Sequence, residues 1–472
     1  LDRPPPEINS LQVSSARAVT ARAISAVVFY GLIALVCLAP IPYGSVEPWS
    51  QAVLECGVFL LGFGWCLHVI LKGPAAKIDL RLFLPLLALV ALALLQSVAW
   101  SRSTVAGVDV LTTLSADPFE SRIFALRLGA MVVAGLIAVQ LTNNTTRLMF
   151  IANALIIVAV LSAIFGIARL TMQHADGFVL PSLRLTEGFG QFINKNHFAF
   201  LIEPAVGLLT ALILLRKDAG HKKLIYLSAL ILLWAALVMS KSRGGLLAVS
   251  LQMVVAALCF LYTRRTSTQV KSARTRSIVT AVTAIVAIVI VVAGTTIWLG
   301  GDQLSSGVET AATEITSRRD DSHEGARRRD IWRATWQLAR AHPFAGAGLG
   351  GYWAEIPAYH DASGILTPQQ GHNDYLELLA SGGLIGLGLF AWFVVALVQT
   401  TRKALAIFTG VQRVLVFGAV IGIVGVGVHS LVDFGLHITC NALAFVMLLA
   451  VLSMNKIDQR PAPQAHRSAA FN

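Results

Sequence analysis

Apolar runs of roughly 18 residues or more, enough to cross about 30 Å of hydrocarbon as α-helix, recur from one end of the sequence to the other. They lie near residues 24–43, 51–71, 80–99, 123–141, 148–170, 197–215, 224–240, 243–263, 277–299, 375–399, 412–431 and 437–454. Backbone in hydrocarbon must satisfy its own N–H and C=O groups, which leaves helices or closed barrels. Barrel strands are half this length and alternate in polarity, so the runs are helices. With 56% of residues hydrophobic and 13% charged, the chain is far from a soluble balance. The expected fold is an all-α integral membrane protein of about twelve transmembrane helices.

Orientation follows from the basic residues. With the N-terminus inside, the inner loops carry Arg17 and Arg22; Lys72, Lys77 and Arg81; Arg147; and Arg216, Lys217, Lys222 and Lys223. The later inner segments carry Arg264, Arg265, Lys271, Arg274 and Arg276, then Arg402, Lys403 and Arg413, then Lys456, Arg460 and Arg467. Every inner segment is basic, as the positive-inside rule requires. The net charge of +12 is therefore topological and does not imply a nucleic-acid partner. Although basic residues precede the first run, it lacks a clear small-x-small cleavage site and is read as a span, not a secretory signal. The five cysteines fall in or beside the runs with neither metal nor disulfide spacing, which reads as small core residues.

Outside the runs, one outer loop is long enough to form a subdomain. The expected organisation is an inner tail over 1–23, helices one to nine over 24–299, an outer loop subdomain over 300–372, helices ten to twelve over 373–454 and an inner tail over 455–472. Long ordered loops commonly carry function. Of eleven histidines, the topology puts eight on or near the outer side and three, His68, His221 and His466, on the inner side. His197, His372, His429 and His437 sit at the outer ends of different spans, where a bundle can bring them together; polar groups there are costly unless paired or used. In "GHNDYLELL" the side chain of Asn373 or Asp374 can cap the incoming helix and so aim His372 outward.

The long loop holds Arg318, Arg319, Arg327, Arg328, Arg329, Arg333 and Arg340 and not one lysine. Arginine presents a planar fork that pairs with phosphate oxygens. The run "EGARRRDIWRATWQLARAHPFAG" predicts an amphipathic helix ended by Pro343 and Gly346, with Trp332, Trp336 and Ala339 at helical spacing. It either lies on the membrane surface, tryptophans at the headgroups and arginines on anionic groups, or packs on the bundle with a solvated charged face. A second arginine comes from "MSKSRGGLLAVS": a short outer turn carries Lys241 and Arg243, and Gly244 and Gly245 permit close approach to a ligand at a helix N-terminus. "GAGLGGYW" matches the dinucleotide glycine pattern but follows a helix and has no βαβ unit around it, so it reads as a turn. No Walker loop, nucleophile elbow or metal-ligand spacing is present in the sequence, and neither a cofactor nor a metal is expected.

Several stretches together resemble the O-antigen ligase and polymerase family of bacterial inner-membrane glycosyltransferases: "GFGQFINKNHFAFLIEPAVGL", "SRGG", "RRRDIWRATWQLARAHPFAGAGLGGY", "HNDYLELLASGGLIGLGLF", "HSLVDFGLHITCNALAF" and "PIPYGSVEPWS". The resemblance implies a GT-C-like bundle with a periplasmic loop subdomain and cavity, cytoplasmic termini and no metal requirement. The implied partners are an undecaprenyl-diphosphate-linked glycan donor, a lipid A-core or other glycan acceptor, and membrane lipids. Carried over by motif, the family's catalytic residues fall on His372, Arg243 and Arg328, with Arg327 and Arg329 adjoining; Asn194, Asn196 and His197 match a cavity-lining motif. Lys241 and Asn373, beside Arg243 and His372, join the expected substrate-binding set.

The chemistry of these residues agrees. Arginines aimed at a diphosphate stabilise the charge of the leaving group, and a histidine with an ordinary pKa near 6.5 can accept the proton of an attacking hydroxyl. In-line displacement would invert the anomeric carbon. Asp374, Glu377 and Asp433 stay open as carboxylates for a retaining route. The leading expectation is a glycan ligase acting on lipid A-core. A polymerase or a protein O-glycosylating relative shares its chemistry, and a lipid-linked glycan transporter is the alternative of another class. A transporter would more often place polar groups at the bilayer midplane within inverted repeats.

Overall fold

The computed structural model describes residues 8–73, 79–105, 107–174, 179–180, 183, 188–216, 220–265, 328–360 and 368–457. Eleven of the twelve apolar runs become helices. These are α1 (Ile8–Leu38), α2 (Pro48–Lys72), α3 (Phe83–Gln96), α4 (Pro118–Leu141), α5 (Thr145–Met172), α6 (Lys195–Leu215), α7 (Lys222–Ser240) and α8 (Arg243–Arg265), then α11 (Asp374–Ile407), α12 (Gly410–His429) and α13 (Thr439–Ser453). The run near 277–299, and Arg327, lie outside the described residues, as does all of the loop from residue 300 up to Arg328. The predicted loop helix is α9 (Arg328–Ala341), followed by the short α10 (Tyr352–Glu355). Nine helices are long and apolar enough to cross a membrane among the described residues, and α3 and α13 are shorter apolar helices. The protein is an all-α polytopic membrane protein.

Three features depart from the sequence reading. The first helix begins at Ile8, well before residue 24. An antiparallel hairpin, β1 (Ala99–Val105) with β2 (Val108–Thr113), occupies the loop after α3. Cys56 and Cys66 are exposed on α2, not packed in a core, and share that outward face with Leu60, Phe63 and Ile70. Such apolar exposure suits lipid as solvent.

The helix starting at Asp374 has 34 residues, about 51 Å if straight, which exceeds the bilayer core. Gly383, at φ 61° and ψ −159°, breaks it. There the turn after α9 docks: Leu384 N–H donates to Pro343 O (2.8 Å) and Ile385 N–H to Phe344 O (3.1 Å). A Cβ on Gly383 would stand 2.3 Å from Phe344 O, so glycine is required by both conformation and space. The "GAGLGG" stretch is indeed a turn, with Ala347 N–H and Gly348 N–H bonded to Ala380 O and Ser381 O (both 2.9 Å). Buried Gln96 holds the same junction, donating to Ala345 O (2.6 Å) and accepting from Leu349 N–H (3.0 Å).

The centre of the bundle is α6, buried without interruption from Asn196 to Leu212 between α5, α7, α8, α12 and α13. Lipid tails are as apolar as leucine, so close packing rather than hydrophobicity holds such helices together, and small residues make it possible. A Cβ on Gly207 would meet Gly422 N at 2.4 Å and Gly418 O at 2.6 Å. This α6–α12 crossing fixes the heights of Asn196 and His429, and with them the functional end.

The two ends of the bundle are distinct. At one, Lys403 pairs with Asp79 (2.7 Å), Gln412 donates to Asn455 O (2.9 Å) and Arg147 donates to Leu141 O (2.7 Å). At the other gather the turn before α2, the hairpin, the starts of α6, α8 and α11, helix α9 and the α12–α13 connection, joined by bonds such as Cys440 N–H to Gly44 O (3.3 Å) and Asp374 N–H to Ser430 O (2.9 Å).

Candidate active site

Asp433, in the connection between α12 and α13, is the centre of this end. Its side chain is fully buried, and its carboxylate accepts from Arg328 NH2 (3.2 Å), His372 Nδ1 (3.3 Å), its neighbour's Phe434 N–H (2.9 Å) and the amide of Asn196. Burial alone would raise its pKa. The hydrogen bond from His372 and the charges of Arg328 and His372 outweigh that and hold it down at about 2. Asp433 is thus a fixed anion already occupied by donors, which leaves it unsuited to act as a nucleophile for a retaining route.

His372 is positioned by backbone as well as by this bond. It adopts φ 49°, a left-handed conformation uncommon for a non-glycine residue. Trp332 of α9 holds it there, its Nε1–H donating to His372 O (3.2 Å). On the other side Asn373 caps α11, accepting from Tyr375 N–H (3.1 Å) and Leu376 N–H (3.0 Å). With Nδ1–H directed at Asp433, the tautomer is set and Nε2 is left as the basic nitrogen. Among the described residues Nε2 has no hydrogen-bond partner, and the side chain is partly exposed.

The arginine turn is tied to the same carboxylate. Ser242 Oγ donates to Asn196 Oδ1 (2.7 Å), while Asn196 Nδ2 reaches Asp433. Ser242 Oγ also accepts from Gly245 N–H (3.2 Å), capping α8. Arg243 itself is exposed, as are Lys241, in a left-handed turn at φ 57°, and Arg329. Lys195, also exposed, stands in the electrostatic field of Arg243, Lys241 and Arg328. Four cations from three separate stretches of chain therefore share one surface beside His372. The N-termini of α6, α8 and α11 end there too, adding the positive ends of their dipoles.

The four outer histidines do converge, in different roles. Phe434 is ringed by His372 (centroids 4.8 Å apart), His197 (5.2 Å) and His437 (6.3 Å). His429 lies deeper, stacked on Phe200 (4.0 Å) and bonded to Glu203 (2.6 Å). Asn194 caps α6, accepting from Asn196 N–H (2.9 Å); Asn196 and His197 are buried, the first joining Ser242 to Asp433 and the second packing its ring against Phe434. In α9 the buried face is Ile331, Ala334, Thr335, Leu338 and Ala339. The helix packs on the bundle instead of floating on the headgroups, with Trp336 outward and Trp332 spent on His372.

Residues 228–391, from within α7 to past the break in α11, match the family model described as O-antigen ligase. That stretch, about a third of the chain, is similar to the O-antigen ligase family. The match supports O-antigen ligase or polymerase-type activity, of a glycosyltransferase-like kind, on lipid-linked glycans in a membrane. No curated protein matches the chain. Arg243, Arg328 and His372 fall within the matched stretch, while Lys195, Asn196 and Asp433 lie outside it and join the site only through the fold.

Proposed function

We propose that the protein transfers a glycan from undecaprenyl diphosphate to an acceptor sugar, lipid A-core being the first to test, on the periplasmic face of the bacterial inner membrane with both termini cytoplasmic. The observation that carries this reading is the His372–Asp433 pair, with Nε2 left open beside a four-cation surface at one end of the bundle. The sidedness rests on the basic loops of the opposite end.

The donor's diphosphate sits against Lys195, Lys241, Arg243 and Arg328, where fork-shaped and point charges together meet its oxygens. As the acceptor oxygen attacks the anomeric carbon, the bond from that carbon to the phosphate oxygen breaks and undecaprenyl diphosphate leaves with the bonding pair. The cations stabilise its growing charge. His372 Nε2 takes the acceptor's hydroxyl proton, and Asp433 stabilises the imidazolium that results. This general-base assistance is worth roughly 10²–10⁴ in rate. Attack from the face opposite the diphosphate inverts the anomeric centre, and the charge is supplied without a metal.

The test is purified protein in lipid nanodiscs, given undecaprenyl-diphosphate glycan and lipid A-core without ATP and with a chelator present. A new glycoconjugate of inverted configuration is expected. Movement of the donor across vesicles with no bond formed would instead favour transport, and retention of configuration would remove the single-displacement mechanism.

A further inference from the structure

Behind the 372–374 turn lies a cavity of about 470 Å³ that the chemistry above does not use. Its walls are α3, α4, α11, α12 and α13, with apolar lining such as Leu89, Met131, Phe393 and Phe445. Its polar end is of a different character from the cationic surface. His437 lines it, with Nε2 3.5 Å from both Asp374 Oδ1 and Glu377 Oε1. Glu377 is 5% exposed, and its other oxygen accepts from Gly371 N–H (2.6 Å). Both oxygens of Asp374 are buried, with His437 and the Ser430 hydroxyl as the side chains beside them. Glu120 adds a third carboxyl group, and the one guanidinium in the lining among the described residues, Arg127, already stands 3.6 Å from Glu55.

Carboxyl groups beside an arginine already engaged by Glu55 offer a phosphate no free counter-charge, and their buried oxygens are groups that sugar hydroxyls can satisfy. The apolar depth suits an aliphatic chain. Phe434 joins the two sites, His437 on one edge and His372 on another.

We propose that this cavity is the acceptor-side seat: it takes an amphiphile with an uncharged, hydroxyl-bearing sugar at His437, Asp374 and Glu377 and its chain among the helices. This rests on the glycosyl-transfer reading and divides the substrates by charge, the diphosphate donor to the cationic surface and the neutral sugar to the acidic end. A lipid A-core acceptor, whose outer sugars stand far from its acyl chains, would use only the polar end.

The experiment compares two photoactivatable probes on the protein in nanodiscs: dodecyl maltoside and dodecyl phosphate, each with a diazirine in the alkyl chain. Cross-links are mapped to peptides of α4 and α13, and transfer activity is measured on the same preparation. The maltoside should label Met131 and Phe445 peptides roughly tenfold more than the phosphate, and D374N with E377Q should bring the two within about threefold. Equal labelling of the wild type by both probes, or preference for the phosphate, overturns the seat even if transfer proceeds and the variants fail to fold. Selective labelling without any transfer supports the seat and strikes the enzymatic reading instead.

Discussion

D433N changes one oxygen to an amide nitrogen at the point where four donors meet. One carboxamide oxygen can satisfy His372 or Arg328 but not both, and the new N–H₂ faces a donor. If His372 accepts at Nδ1 to relieve the clash, its proton moves to Nε2 and the basic nitrogen is lost from the open side. The wild-type carboxylate titrates at about 2 against an unperturbed value near 3.9, which corresponds to stabilisation on the order of 2 kcal/mol. The variant forfeits that and the general base together, so transfer should fall by roughly 10²–10⁴. Because the folded-state value is depressed, the stability is fully present above about pH 4 and is lost as pH falls toward 2. Thermal unfolding in nanodiscs should therefore show a wild-type advantage that is flat from about pH 5 to 8 and shrinks only below about 4. A variant that keeps a tenth of wild-type transfer, or an advantage already fading at pH 6, would refute the reasoning.

Other outcomes follow from single contacts. W332F removes the bond to the carbonyl of His372 at its left-handed turn, worth about 0.5–1.5 kcal/mol; kcat should fall several-fold while donor KM changes little. K195A takes one of four cations from the donor surface and should raise donor KM more than it lowers kcat, as loss of uniform binding does, measured by initial rates over donor concentration. S242A cuts the link from the α8 cap to Asn196 and should cost about 0.5–2 kcal/mol of helix stability, read as faster local hydrogen exchange at residues 243–246. G207V places a Cβ 2.4 Å from Gly422 N and should lower the thermal midpoint without changing KM in the fraction that inserts.

The helices were legible because hydrocarbon thickness imposes a length on each apolar run, and α1, α5 and α6 could scarcely be missed. The hairpin was not, because the strands at 99–105 and 108–113 are short and continuous with the apolar end of α3. The break in α11 hides in "SGGLIG", where the glycine reads as a small packing residue until Phe344 is seen against it. Arg243, Arg328 and His372 stand out by type and by motif, but Asp433 is 61 residues from His372 and 105 from Arg328. Nothing in one sequence marks an aspartate as the acceptor for both. The clustering of histidines at outer span ends was the usable signal, and in the structure three of those four rings surround Phe434. It could not distinguish His372 from its more buried neighbours, because that difference lies in burial and in which nitrogen is already bonded. Lys195 was overlooked inside "NKNHF", where the asparagines and histidine drew attention; its place beside Arg243 arises from α6 and α8 packing.

The central claim is that His372 Nε2 takes the acceptor's proton while separate cations hold the donor. The most direct measurement pairs donor binding with single-turnover transfer in H372Q, in nanodiscs, with undecaprenyl-diphosphate glycan and acceptor. Donor affinity within about twofold of wild type, with transfer slowed roughly 10²–10⁴, is the predicted result; transfer at near wild-type rate would contradict it.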